Sequence, residues 1–142
     1  MKKMMLLFVA ALSLIGAANA QKLEVNITDI KNNKGQFVIK VYDTSEARNK
    51  EAPVLLKEFS KTDVKDGILN LKLDLKYGTY GLSLLDDENS DGEMEKSFIG
   101  MPKEGFGYSD FYLTKLSKPA WEDFEFKFSP EKTSVTVRVK YL

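Results

Sequence analysis

Oxygen-bearing side chains occupy every second position of one short acidic segment in this chain. Asp87, Asn89 and Asp91 alternate with other residues, and Gly92 follows directly. This spacing matches the first half of a calcium-binding loop, D-x-[DN]-x-[DN]-G. Calcium takes about six to eight oxygen ligands, and alternate residues of a tight loop can point their oxygens at one centre. The segment therefore predicts a site for a hard divalent cation such as calcium.

The positions after the glycine supply further oxygen atoms. With Asp87 as the first position, the backbone carbonyl of Glu93 falls at the seventh position and the side chain of Glu95 at the ninth. Calcium loops use both of these positions. The predicted metal ligands are Asp87, Asn89, Asp91, Glu93 and Glu95. Calcium is the cofactor that this set of ligands predicts.

This set is smaller than that of a helix–loop–helix calcium site. The twelfth position is Phe98 rather than a bidentate glutamate, so water or a distant carboxylate must complete the shell. Asp86 and Asp110 are the nearest candidates for that carboxylate. An incomplete shell predicts weak binding, with a dissociation constant on the order of 0.1 to 1 mM. The alternative is a solvated acidic turn without a metal, because Asp, Asn, Ser and Gly are also the usual turn formers.

A glycine-rich segment follows over residues 99–109. Its aromatic residues Phe106 and Tyr108 could line a ligand groove, with Lys103 and Glu104 at the rim. The same aromatic side chains could instead close one end of the fold. A phosphate-binding loop is a poor match, because no strand–loop–helix pattern surrounds the glycines.

Carboxylates are the main residues left for catalysis. The chain contains neither histidine nor cysteine, which excludes serine–histidine and cysteine–histidine catalysis and the usual structural zinc sites. Glu104, Asp110 and Glu122 could form an acid–base pair for glycan hydrolysis, but nothing in their spacing fixes a separation. We therefore predict no catalytic residues and a non-enzymatic binding or structural module. A carboxylate-dependent hydrolase acting on glycans is the alternative.

The N-terminal segment has the pattern of a secretory signal peptide. Two lysines precede an apolar run over residues 4–16, and the small residues Ala18 and Ala20 follow. The run is too short to span a bilayer. The sequence thus predicts a signal peptide over residues 1–20, a single domain over residues 21–142, and an exported protein that is periplasmic or secreted and does not span the membrane.

The charge balance restricts the partners. Two of the 21 basic residues lie in the predicted signal peptide, which leaves 19 basic against 21 acidic residues and a net charge of −2. Nucleic-acid-binding domains are strongly basic, so we expect no nucleic-acid partner. The sequence leaves the partner open, with a cell-surface protein or a carbohydrate as the candidates.

Apolar residues alternate with polar ones along most of the remaining chain, which is typical of strands with one buried face. The predicted strands cover residues 23–27, 37–42, 69–75, 80–85, 124–128 and 135–141, with a possible short strand at 55–59. One helical turn is expected at 45–51, with Ser45 as its cap. The fold class is therefore all-β, an antiparallel β-sandwich of about seven strands, immunoglobulin-like or transthyretin-like. The 69–75 and 124–128 strands should face each other across the core.

One long segment lacks this alternation. Residues 86–122 carry large apolar side chains, among them Phe98, Ile99, Leu116 and Trp121. Such a composition is unlike that of disordered segments. We expect a long ordered loop excursion that packs over one end of the sandwich.

Four segments, taken in order, resemble the motifs of the domain-of-unknown-function family 2141. They read LKYGTY (75–80), DDENSDG (86–92), IGMPKEGFGYS (99–109) and PAWEDF (119–124). The resemblance implies an exported bacterial β-sandwich domain without an established activity. Two positions depart from the family pattern: Asp86 stands where the family often has histidine, and Glu95 stands where it tends to have aspartate.

Overall fold

The computed structural model describes residues 20–142, so the predicted signal peptide, apart from Ala20, lies outside the described residues. Eight strands and two short helices follow one another along the chain. They are β1 (Gln21–Thr28), β2 (Gln36–Tyr42), α1 (Ser45–Asn49), β3 (Leu55–Ser60), β4 (Leu69–Leu75), β5 (Gly78–Asp87), β6 (Gly105–Tyr108), α2 (Trp121–Phe124), β7 (Glu125–Phe128) and β8 (Ser134–Arg138). No helix in this part of the chain is long and apolar enough to cross a membrane.

The smaller sheet has three strands in the order β4-β1-β8. β1 pairs antiparallel with β4, and the register sets Leu23 opposite Leu73. β1 pairs parallel with β8, with Val25 opposite Val135. The sheet is therefore mixed, although local alternation had suggested antiparallel pairing throughout. A parallel pair needs a long crossover, and here almost the whole domain forms that connection.

The larger sheet has the order β3-β2-β5-β6, and β7 also pairs with β5. β5 is the longest strand, and two different strands pair with successive parts of one of its edges. Its first residues, from Gly78 to Gly81, pair with β7. Its later residues, from Ser83 to Asp86, pair with β6. β5 is longer than the predicted strand 80–85 by two residues at each end, and its C-terminal extension is Asp86 and Asp87.

The two sheets enclose one main apolar core, which confirms the all-β sandwich. Alternate residues of β1, β2, β4, β5, β7 and β8 are buried in it. Leu73 of β4 and Phe128 of β7 are both fully buried there and belong to opposite sheets, as predicted for these two strands. Burying side chains of this size stabilises the fold by about 1.5–3 kcal/mol each.

Helix α1 begins as expected, but the predicted cap was wrong by one residue. Thr44, not Ser45, is the N-cap, and its Oγ1 accepts a hydrogen bond of 3.0 Å from the amide of Ala47. The helix ends at Asn49. The cap position falls on Thr44 because its backbone is extended, whereas Ser45 is already helical.

The excursion over residues 86–122 is only partly packed. Leu113 and Trp121 are buried, but Phe98 is completely exposed and Ile99 and Leu116 are largely exposed. The expectation that all these apolar side chains pack was therefore wrong. Phe98 and Ile99 lie at the tip of a turn closed by hydrogen bonds between residues 97 and 101, where no second layer of structure covers them.

Candidate metal centre

Strand register brings two carboxylates to the same row of the larger sheet. Asp87 ends β5 and lies opposite Gln36 of β2. On the other side, Asp86 lies opposite Gly105, so the residue before β6, Glu104, lies beside Asp87. Both Asp87 and Glu104 are buried. The site therefore depends on β6, which supplies the neighbour on that side.

Three carboxylates converge at this point. One oxygen from each of Asp87, Asp91 and Glu104 lies within 4.8 Å of the others. Oxygens no more than 4.8 Å apart surround a centre about 2.8 Å or less from each, close to the calcium–oxygen distances of about 2.3–2.6 Å. Like charges facing each other on neighbouring strands are destabilising. A divalent cation between them removes that repulsion.

The carboxylate of Asp87 shapes the acidic loop. It accepts hydrogen bonds from the amide of Gly92 at 2.8 Å and from the amide of Asp91 at 3.2 Å. The side chain of Gln36 donates a third bond, of 2.9 Å. Gly92 has a φ of +78°, a left-handed conformation that favours glycine. The loop therefore folds back onto the strand end from which it starts.

The other predicted ligands lie around this centre in different roles. The amide nitrogen of Asn89 donates to Asp91 at 3.0 Å and also to the carboxylate of Glu95. The amide of Glu93 donates to Asp91 at 2.9 Å, and this bond is the main reason that the pKa of Asp91 is lowered. The structure thus brings Asp87 and Asp91 together, with Asn89 against Asp91 and Glu95 against Asn89, whereas the side chain of Glu93 is exposed.

Glu104 lies where the incomplete loop would need a distant carboxylate. Its Oε2 is buried without a hydrogen-bond partner among the described residues. Burial, followed by the negative charges of Asp87 and Asp91, raises the pKa of Glu104 to about 7. Sequence reasoning had placed Glu104 only in a groove rim or an acid–base pair. The signal that could have found it is the Gly-Phe-Gly-Tyr segment, read as a strand beside β5.

The two carboxylates predicted for that position, Asp86 and Asp110, were the wrong ones. Asp86 faces the opposite side of β5, where Lys61 at 2.5 Å and the Tyr141 hydroxyl at 2.5 Å bind its two oxygens. Asp110 accepts a hydrogen bond of 2.9 Å from the amide of Thr136, and its other oxygen pairs with Lys132 at 2.8 Å. Side chains alternate along a strand, which is why Asp86 cannot share a site with the next residue.

The possible acid–base residues have separate surroundings. Glu104 lies in the acidic cluster, Asp110 pairs with Lys132, and Glu122 is exposed on the short helix α2. A glycan hydrolase needs two carboxylates on either side of one bond. The hydrolase interpretation gains no support from these positions and stays a hypothesis.

Comparison with known proteins agrees with the family that the ordered motifs resemble. The model of a family described as "Uncharacterized protein conserved in bacteria (DUF2141)" matches residues 25–136. No curated protein and no solved structure matches the chain significantly. The match spans most of the sandwich, including the acidic loop, β6 and Glu104. The chain therefore belongs to this uncharacterised bacterial family, DUF2141.

Proposed function

We propose that this protein is an exported, non-catalytic binding or structural module whose acidic loop is stabilised by calcium. The observation that carries the metal proposal is the buried, unpartnered Oε2 of Glu104 beside Asp87 and Asp91. A buried carboxylate oxygen without a donor is costly unless a cation or a proton satisfies it. Calcium satisfies all three carboxylates with one ion.

The donor set fits calcium better than magnesium. Asp87, Asp91 and Glu104 offer three carboxylates, and Glu95, linked to Asp91 through the side chain of Asn89, adds a fourth nearby. Calcium accepts irregular shells of carboxylates, amides and water, whereas magnesium requires near-ideal octahedral geometry and loses water reluctantly. We therefore expect calcium to be preferred, with water completing the shell.

The ion would join parts of the chain that are otherwise linked weakly. Glu104 precedes β6, while Asp91 belongs to the loop after β5. The segment between them forms its own short hairpin, closed by a 2.7 Å hydrogen bond from the amide of Lys103 to the carbonyl of Glu95. A cation bound at both ends of this segment would therefore hold the exposed hairpin against the sheet.

Calcium is expected to raise the midpoint of thermal unfolding (Tm). An ion bound only by the folded state stabilises it by about 1.4 kcal/mol when its concentration is about ten times the dissociation constant. Replacing both Asp87 and Asp91 with alanine should abolish the rise, and so should Glu104→Gln. The measurement is differential scanning calorimetry in EDTA, in calcium and in magnesium.

Glu122→Gln is the matched control for this experiment. It also replaces a glutamate with an amide, but on the exposed face of α2. It should keep the full calcium response. An unchanged Tm of the parent protein in millimolar calcium would defeat the metal proposal and favour the solvated acidic turn.

Without calcium, the stability of the protein should fall as the pH rises from about 4.5 to 7. The pKa of Glu104 is about 7 in the folded protein against 4.5 for a free glutamate, so the folded state holds a proton that the unfolded state has lost in this window. The contribution of this proton to the free energy of unfolding is on the order of 2 kcal/mol. It is fully present below the pKa of the unfolded state and is lost as the pH rises through the pKa of the folded state. Urea unfolding in EDTA at several pH values measures it.

Glu104→Gln should flatten this pH dependence, because glutamine does not titrate. Calcium should reverse its direction, since the ion competes with the proton and binds more tightly as Glu104 ionises. A stability that rises with pH in EDTA, in the parent protein but not in the glutamine variant, would contradict the assignment.

A further inference from the structure

A groove of about 560 Å³ lies on the outer face of the larger sheet, the face turned away from the core. Its floor has two rows of register partners: an apolar row of Val38, Leu85 and Phe106, and a polar row of Lys40, Ser83 and Tyr108. The volume falls within the range of small-molecule sites, about 300–1,000 Å³. Phe106 and Tyr108 line the groove as the sequence suggested, but Lys103 and Glu104 are not part of its lining.

Cations gather at the end of the groove near the polar row. Lys40 rises from the floor, Arg48 comes from α1, and Lys118 comes from the excursion. Two carboxylates also line the groove, those of Glu51 and Glu93, and both are exposed. The rows are two residues apart along β5, or about 7 Å, so the apolar and the cationic ends are separated by the length of a small molecule.

These cations differ in how far the protein already satisfies them. Arg48 is fixed, because its guanidinium donates to the carbonyl of Pro119 at 2.7 Å and lies 5.1 Å from the ring centre of Phe124. The ammonium groups of Lys40 and Lys118 make no hydrogen bond or ion pair with any residue from 20 to 142. Lys40 is half-buried, where an unpaired charge gains most from an anion.

We propose that this groove binds a small carboxylate with an apolar body. The apolar body lies on the row of Val38, Leu85 and Phe106, and the carboxylate accepts hydrogen bonds from Lys40 and Lys118. Arg48 provides a fixed positive charge behind them. The charge at the polar end favours an anion over a neutral or cationic ligand of the same shape.

The groove and the metal centre are neighbours but separate proposals. Gly92, Glu93 and Met94 of the acidic loop form part of the groove wall, while the ion centre lies in the next row of the sheet, at Asp87. The groove proposal does not require the ion. Ligand titrations are therefore run both in EDTA and in millimolar calcium, and the calcium response is measured independently by thermal unfolding.

The test uses hydrocinnamate, a phenyl ring on a short carboxylate, as the probe. Titration into the isotope-labelled protein should shift amide resonances of β2, β5 and β6 around the groove, with a dissociation constant on the order of 1 mM. Hydrocinnamamide has the same shape without the charge and should bind at least about fivefold more weakly. This comparison needs no variant and so does not depend on a substitution folding correctly.

Lys40→Gln and Lys118→Gln should each weaken hydrocinnamate binding at least about fivefold. Lys72→Gln is the control, because Lys72 is an exposed lysine of β4 in the other sheet, and it should leave the affinity unchanged. The proposal is overturned if the amide binds as tightly as the acid, if the shifts map outside the groove, if both lysine variants bind like the parent, or if hydrocinnamate does not bind at all.

Discussion

Lys61→Met should destabilise the protein by about 3–5 kcal/mol near neutral pH, because it removes one partner of a buried ion pair. Lys61 is completely buried, and its ammonium lies 2.5 Å from an oxygen of Asp86, which is buried as well. It also donates to Asn32 at 3.1 Å and lies 5.2 Å from the ring centre of Phe37. Methionine fills similar space but leaves the Asp86 carboxylate without its counter-charge.

The loss of stability in Lys61→Met should be smaller at lower pH. Burial already raises the pKa of Asp86 despite the hydrogen bonds from Lys61 and Tyr141. Without Lys61, the protein can fold with Asp86 ionised only at a higher cost in free energy, or it folds after Asp86 has taken up a proton. The deficit of Lys61→Met should therefore shrink as the pH falls, which urea unfolding of the variant and its parent at two pH values measures.

Two comparisons identify the cause of the loss. Lys61→Met combined with Asp86→Leu should recover part of the stability, because no unpaired charge remains buried. Lys22→Met removes an exposed ion pair with Asp74 and should change the unfolding midpoint little. If Lys61→Met were no more harmful than Lys22→Met, the buried pair would not be the stabilising contact that the geometry indicates.

Gly35→Ala should destabilise the fold by about 3 kcal/mol and weaken calcium binding as well. Gly35 has a φ of +74°, and a Cβ there would lie 2.2 Å from the carbonyl oxygen of Asp87 and 2.6 Å from that of Glu88. These are backbone atoms and cannot rotate away. Any movement that relieves the clash displaces the strand end from which the acidic loop starts.

Gly100→Ala separates the cost of the left-handed backbone conformation from the cost of the clash with backbone atoms. Gly100 has a similar φ, +82°, but nothing lies within 4 Å of its Cβ position. Alanine there should cost only the left-handed conformation, about 1 kcal/mol. Calorimetry with and without calcium compares the two variants, and equal losses of stability with an unchanged calcium response would show that Gly35 does not position the loop.

The strands that were predictable share a strict alternation of apolar and polar residues. β4 and β7 are examples, because Leu69–Leu75 and Glu125–Phe128 each place one apolar face towards the core. Phe124, predicted as the first residue of the second of these strands, instead ends helix α2 and packs in a separate cluster with Tyr42 and Trp121. β6 was missed since Gly105 and Gly107 replace every second side chain, which hides the alternation. Those glycines are required by packing: a Cβ at Gly105 would lie 2.4 Å from the ring of Tyr141.

Only the part of the candidate site that lies within one loop was predictable from the sequence. Asp87 and Asp91 follow from spacing within one loop, which sequence shows directly. Glu104 joins them through the register of β6 on β5, and that register is a tertiary property. Lys61 was equally hidden, because a lysine in a polar segment is normally solvated. Its burial depends on Asp86, which belongs to another strand.

The parallel pairing of β1 with β8 has a consequence for how the molecule is made. Glu24 lies opposite Ser134, so β1, the first of the described strands, finds one of its two neighbours only when β8, the last of them, has been synthesised. Until then β1 can pair with β4 but keeps an open edge, which can associate with other chains. Folding should therefore be slow for a domain of this size and should finish only once β8 is available. Fragments that stop before β8 should aggregate rather than fold.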